Sequence, residues 1–329
     1  MILLGECTKY WHFILDFSVL SGIACSLLLT PPLATVGHFF NQRRAFATGL
    51  AMTGPSIGGI ILPLVFRATY PDLGFPWACR ILAFIILALL IPANIFLRSR
   101  FPRCKPTLRE VLPDFSIFLD GDGSLVFATA GFFLMELSLF TPLAYITSYA
   151  ISAGLSQDFA YNVIAILNAA SVVGRGLPGF IADRVGRYNT MISMLLLCML
   201  CNLCIWLPAT LMPSLAKEEV KAFVIAYAII FGLASGSNLS LIAPCIGQLC
   251  ETKNYGRYFS TSYFFVSIAT LIGIPVAGKL IDTAREAGPH GLNGYWALVL
   301  FVGLGYAAST ACMTAVRVTK VGWEPRGVF

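Results

Sequence analysis

Residues 174–189 read GRGLPGFIADRVGRYN, and the reading of this stretch decides the fold. Arg175 follows a largely apolar run, and a charged knot, Asp183-Arg184-Val185-Gly186-Arg187, comes within a dozen residues of it. A helix in water would spread its charges along a whole face. Here they are confined to one deep cation and one terminal turn. That is the pattern of a helix crossing a bilayer, where an ionisable residue is costly and a basic turn anchors at the lipid surface.

Composition generalises the reading. Hydrophobic residues make up 57% of the 329, charged residues 12%, and the mean hydropathy is +0.80. Soluble domains carry about 25% charge, and the apolar runs last about 20 residues, long enough to cross the hydrocarbon layer, so a soluble enzyme is a poor competitor to a polytopic membrane protein. The net charge of +6 sits in short loops between apolar runs, which points to membrane orientation rather than nucleic acid. The ten cysteines fall mostly inside those runs, where Cys198, Cys201 and Cys204 share a helix without His or carboxylate neighbours. They read as small packing residues, with no disulfide framework and no metal site. The opening MILLGECTKYWHF lacks a basic n-region and a small-residue cleavage site.

A window of about 20 residues places spans at 13–36, 45–66, 77–97, 125–150, 159–182, 189–208, 222–246, 258–281 and 295–316, nine in all. They must be helices, because lipid leaves no open backbone edge satisfied. Lys and Arg sort the loops into a rich set (Arg43, Arg44; Arg98 to Arg109; Arg184, Arg187; Lys253, Arg257; Arg317, Lys320, Arg326) and a poor one (Lys9, Arg67, Lys217, Lys221, Arg285). The rich set is expected on the cytoplasmic side. The expected organisation is a three-span bundle at 1–97, a basic linker at 98–124, a six-span bundle at 125–316 and a tail at 317–329.

An internal repeat accounts for three against six. Residues 21–49 overlay 234–262 in the order of their features: a small-residue helix, a proline (Pro32, Pro244), a basic turn (Arg44, Arg257) and a glycine-rich helix. The counterparts of spans 125–150, 159–182 and 189–208 would then precede residue 1, so a parent of six plus six helices is expected, with nine present here.

A six-plus-six carrier with a basic central loop resembles the major facilitator superfamily, and the residues resemble its monocarboxylate porter family, fungal branch. In HFFNQRRAFATGLAMTG (38–54), Phe39, Phe40, Arg43, Arg44, Ala47, Gly49, Ala51 and Gly54 match that family's signature, whereas Gln42, Phe46 and Thr53 depart from it. GRGLPGFIADRVGRYN resembles the segment carrying the family's functional arginine, a role the resemblance gives to Arg175. Ser171 stands where many members have an aspartate, which puts any coupling through that aspartate in doubt. The family's first-helix lysine and the first-half copy of its Gly-x-x-x-Asp-Arg-x-Gly-Arg loop have no counterpart in this sequence. GPSIGG (54–59) also resembles the motif of proton-coupled drug antiporters, or is a small-residue packing face bent by Pro55.

The expected chemistry follows. Arg175 lies about 12 Å inside the basic end, eight residues from Asp183 at 1.5 Å each, and Glu136 on the preceding span lies about 16 Å deep. They are expected to pair, Arg175 receiving a substrate carboxylate through its planar fork and Glu136 compensating when the site is empty; a purely structural pair is the alternative. Asn168, Tyr145 and Asn238 are candidate cavity liners, or else interhelical hydrogen-bonding groups. Asp183, Arg184, Gly186 and Arg187, with Arg43, Arg44, Gly54 and Pro55, are candidate gating residues. By the resemblance, the Asp183–Arg187 loop latches helices of one half together. The function expected is secondary transport of a small organic anion or metabolite, coupled to protons, by alternating access, with no cofactor and no catalytic group. Efflux of a secondary metabolite and a non-transporting fragment are the alternatives. The partners are a small-molecule substrate, protons and the bilayer of the plasma membrane or an internal membrane.

Overall fold

The computed structural model describes residues 1–40, 42–98, 113–119, 122–212, 216–287 and 294–324. Among these the secondary structure is entirely helical. The long helices are α1 (Tyr10–Phe39), α2 (Arg44–Ala51), α3 (Thr53–Phe96), α4 (Ser124–Ser152), α5 (Gln157–Val185), α6 (Arg187–Leu211), α7 (Lys217–Ile246), α8 (Tyr255–Ala287) and α9 (Tyr295–Val321). Within α1, residues Ile14–Leu20 wind as a π-helix.

Among the described residues, eight apolar helical stretches are long enough to cross a membrane, and one of them, Arg44–Phe96, runs 53 residues. At 1.5 Å per residue it would be about 80 Å long, against a hydrocarbon core of about 30 Å. It breaks at Gly74, whose φ of 73° and ψ of 172° lie outside the helical region. The limbs 53–73 and 75–96 therefore make separate crossings. Eight stretches give nine crossings, matching the count from hydropathy.

Residues 124–321 carry the densest core. α5 packs along α7, and α4 along α9 and α8. A run of buried aromatic rings threads this bundle: Tyr149, Trp206, Tyr227, Phe231 and Tyr306, at successive centroid spacings of 5.8, 4.8, 5.0 and 6.2 Å. α1 and α3 instead expose most of their large apolar side chains, which suits helices whose solvent is lipid. The first three crossings reach the six-helix bundle mainly through α2 and the first limb of α3, both packed on α5.

Part of the expected linker is described. Residues 99–112 and 120–121 lie outside the described residues, and with them Arg100, Arg103, Lys105 and Arg109; so does Arg326 of the tail. The remaining end of the linker, a short 3₁₀ turn at Phe115–Phe118, lies against α8: the Asp114 amide donates to Thr261 at 3.2 Å, Asp114 pairs with Arg257, and Phe115 and Phe118 meet Phe265 edge-on. Hydrogen bonds from the Ser116 hydroxyl and amide, with Arg257 beside it, hold the Asp114 carboxyl below its ordinary range. The Lys320 ammonium, 2.8 Å away, does the same for Asp122.

Candidate functional site

α5 places a polar stripe against α2 and α3. Ser156 caps its start by accepting from the Phe159 amide at 3.3 Å, and Gly186, with φ of 107°, ends it. Asn168, Ser171, Arg175, Gly179 and Asp183 follow one another at spacings of three or four, so they share one face. Asn168 Nδ2 donates to the Gly59 carbonyl at 3.5 Å. One turn on, the buried Ser171 and Ser56 hydroxyls meet at 3.1 Å. Below them Arg175, 7% exposed, donates from Nη1 to the Met52 carbonyl, while its Nε is buried without an acceptor. No carboxylate among the described residues lies within ion-pair distance of Arg175.

The helix break at Met52 follows from sequence. Pro55 has no N–H to donate to the carbonyl four residues earlier, Ala51, and α2 ends there with Met52 as its C-cap. α2 and α5 then approach backbone to backbone. A Cβ on Gly49 would lie 2.2 Å from the Arg175 carbonyl oxygen, and one on Gly179 would lie 2.7 Å from that of Ala45.

At the basic end, Asp183 accepts from the Ala45 and Phe46 amides at 3.1 and 2.9 Å. These are the second and third helical amides of α2, the ones an N-cap side chain ordinarily serves. Arg43 occupies the cap position and makes no side-chain cap bond. Arg187 stands 3.6 Å from the same carboxylate. Arg44 completes the closure: it donates to the Gly247 carbonyl, just past α7, at 3.4 Å, and its guanidinium lies 4.2 Å over the Tyr255 ring of α8.

Several expectations need correction. Glu136 and Arg175 form no pair. Glu136 faces α8, where its Oε2 accepts from Thr270 at 3.0 Å and the Tyr263 hydroxyl approaches it. The Asp183 turn does not latch one half internally; it reaches across to α2, 138 residues away in sequence. Arg184 stays on its own helix, stacked over Phe180 at 4.2 Å. Gly174 lets α7 approach, since a Cβ there would lie 2.0 Å from the Leu233 carbonyl oxygen, but Gly176 and Gly54 face open space. Tyr145 donates to the Ile274 carbonyl at 3.1 Å on the α4–α8 seam. Asn238 is buried between α7 and α6, with its Nδ2 3.4 Å from Cys198 Sγ. The five expected binding residues are divided among three places: Arg175 and Asn168 on the α5 stripe, Glu136 and Tyr145 on the α4–α8 seam, and Asn238 between α7 and α6.

At the opposite end a cavity of about 530 Å³ opens between the first limb of α3 and the start of α5. Phe66, Tyr70 and Tyr161 are among its walls, and Arg67 and Asp158 pair at its rim at 2.5 Å. Its floor reaches Gly59, the residue against which Asn168 packs. Sequence reading missed Ser56, Met52, Thr270 and the Arg67–Asp158 pair. The pair had a visible signal, an acid in the first turn of one span and an arginine in the poor loop set; a backbone carbonyl had none.

The described helices are thus joined at the basic end by Asp183 and Arg44 and part around a cavity at the other. The Major Facilitator Superfamily profile matches residues 1–273. The chain is 33% identical over 339 residues to the riboflavin transporter MCH5 of Saccharomyces cerevisiae, covering 97% of this chain and 62% of that protein. It is 34% identical to the MFS-type transporter opdF of Penicillium oxalicum, over 96% of this chain and 70% of that protein, and 34% identical to the agnestins efflux protein AgnL12 of Paecilomyces divaricatus, over 92% and 65%. It thus spans roughly two thirds of the length of these relatives. With its all-helical, multi-pass fold and these matches, the chain belongs to the Major Facilitator Superfamily.

Proposed function

We propose that this protein is a secondary carrier of a small organic carboxylate, of the monocarboxylate-porter kind, working by alternating access and coupled to protons. The observation that carries the reading is Arg175: a buried guanidinium with a spare Nε donor and, among the described residues, no carboxylate beside it. An unpaired buried charge is expensive, and a planar fork without an acid partner is suited to a ligand carboxylate. The repeat supports a transporting unit of two six-crossing halves. In our reading the basic end is cytoplasmic, so the arrangement is closed inside and parted outside, with Asp183 and Arg44 as the closure. Glu136 is the proton-site candidate, buried against Thr270 and Tyr263 of α8.

The test is uptake of radiolabelled benzoate into proteoliposomes, with and without an inward proton gradient. Wild type should accumulate the acid with the gradient, and Arg175→Gln should lose about 100-fold or more of the flux, the scale of a charged contact removed from a buried anion. Glu136→Gln should retain exchange and lose the gradient dependence; unchanged gradient dependence would sink its role. Efflux of a secondary metabolite is the second reading, favoured by the aromatic walls of the cavity and by relatives named for efflux. A proton gradient driving export would establish it. No flux of any kind from this chain would favour a non-transporting fragment.

A further inference from the structure

We propose that Arg175 decides which bound molecules are carried, by holding the C-terminal end of α2 until a substrate carboxylate takes the guanidinium away. The inference rests on the carboxylate reading above and adds to it the step linking occupancy to opening.

α5 grips α2 at both ends with the charge each end calls for. A helix is partially positive at its N-terminus and partially negative at its C-terminus. Asp183 sits on the first, accepting from the Ala45 and Phe46 amides, and Arg175 sits on the second, donating to the Met52 carbonyl. The spacing matches: Arg175 and Asp183 are eight residues apart, about 12 Å along α5, and the eight residues of α2 rise by the same amount. Close packing at Gly49 and Gly179 brings both contacts within reach, so the two helices are locked in one register.

The two contacts differ in how easily they can be replaced. Asp183 is paired with two amides and stands beside Arg187. Arg175 makes one bond to a neutral carbonyl and leaves Nε unmet. A carboxylate offers two charged acceptors and outcompetes a single neutral carbonyl for a guanidinium. Helical side chains lean toward the N-terminus of their helix, so Arg175 leans toward the cavity end, where a substrate would arrive. Taking Arg175 from Met52 leaves α2 held at its N-terminal end alone, by Asp183 and Arg44, and loosens the closure of the basic end. A neutral molecule of the same shape would occupy the cavity without releasing α2.

Hydrogen exchange of the 44–52 backbone in the full purified chain reads the grip directly, using benzoate and its neutral analogue benzamide as probes. Without ligand, Asp183→Ala and Arg175→Gln should each speed exchange there by about fivefold, the effect of a lost helix-end contact. Benzoate should speed it in the wild type to a similar degree and benzamide should not. Arg175→Lys, which keeps the charge and loses the fork, should retain protection without ligand and lose most of the benzoate response. Unchanged exchange in ligand-free Arg175→Gln overturns the proposal. Benzoate that binds by equilibrium dialysis yet leaves exchange unchanged overturns the switch alone, whereas failure to bind overturns the carboxylate reading and the switch together.

Discussion

Glycine at position 49 and glycine at position 54 lie five residues apart and have opposite fates. A side chain on Gly49 would strike the Arg175 carbonyl oxygen, while one on Gly54 meets nothing. Gly49→Ala should therefore destabilise the protein by about 1–3 kcal/mol through a forced backbone shift. Gly54→Ala should be neutral or stabilising by up to about 1 kcal/mol, since alanine is the better helix former. Thermal unfolding in detergent compares the two, and equal losses would sink the packing assigned here to α2. Glycines 174 and 176 teach the same lesson. Two positions on a helix are about 200° apart, so they face opposite ways, and only the neighbours decide which one matters.

At the scale of elements, the end of the linker is fastened to α8 and α9 by carboxylates. Asp114 and Asp122 both titrate below the ordinary aspartate range. A depressed carboxylate contributes stability that is complete above its unfolded value of about 3.9 and is lost as the pH falls through the lower folded value. Docking of 113–119 should accordingly be constant from pH 8 to 5 and weaken only in strong acid. Hydrogen exchange of that segment across the range checks the sign, and a loosening near pH 6 would contradict it. Asp114→Asn should loosen it already at pH 7, and only modestly because the pair is partly exposed and screened.

For the molecule as a whole, the two ends are not alike. The basic end is joined by buried Arg44 and by Asp183, whereas at the other end, among the described residues, the exposed Arg67–Asp158 pair stands beside a cavity. Cys250, in the turn after α7, offers a native reporter of the joined end. Burial pushes its thiol up to about 11, with Arg44 pulling the other way, so it is almost wholly protonated at neutral pH and should react slowly with a maleimide. Asp183→Ala should accelerate that labelling several-fold in a variant whose other cysteines are replaced. Arg44 is retained in this variant, so a gain would report access rather than ionisation. An unchanged rate would mean that Asp183 does not hold the end closed.

The long apolar helices and the superfamily were legible in the sequence, because hydrophobic length and local motifs are properties of short stretches. The stripe on α5 was legible too, since a spacing of three or four residues fixes a face. What faces that stripe was not. Glu136 and Arg175 have similar depths along their helices, yet one turns to Thr270 and the other to Met52. Depth follows from counting residues at 1.5 Å each, whereas azimuth depends on which helix packs alongside. The Asp183 turn looked like a local latch for the same reason: its partners are two backbone amides, which carry no side-chain signature. Sequence alone determined that a charged helix crosses the membrane; the packing of α2 against α5 decided what its charges hold.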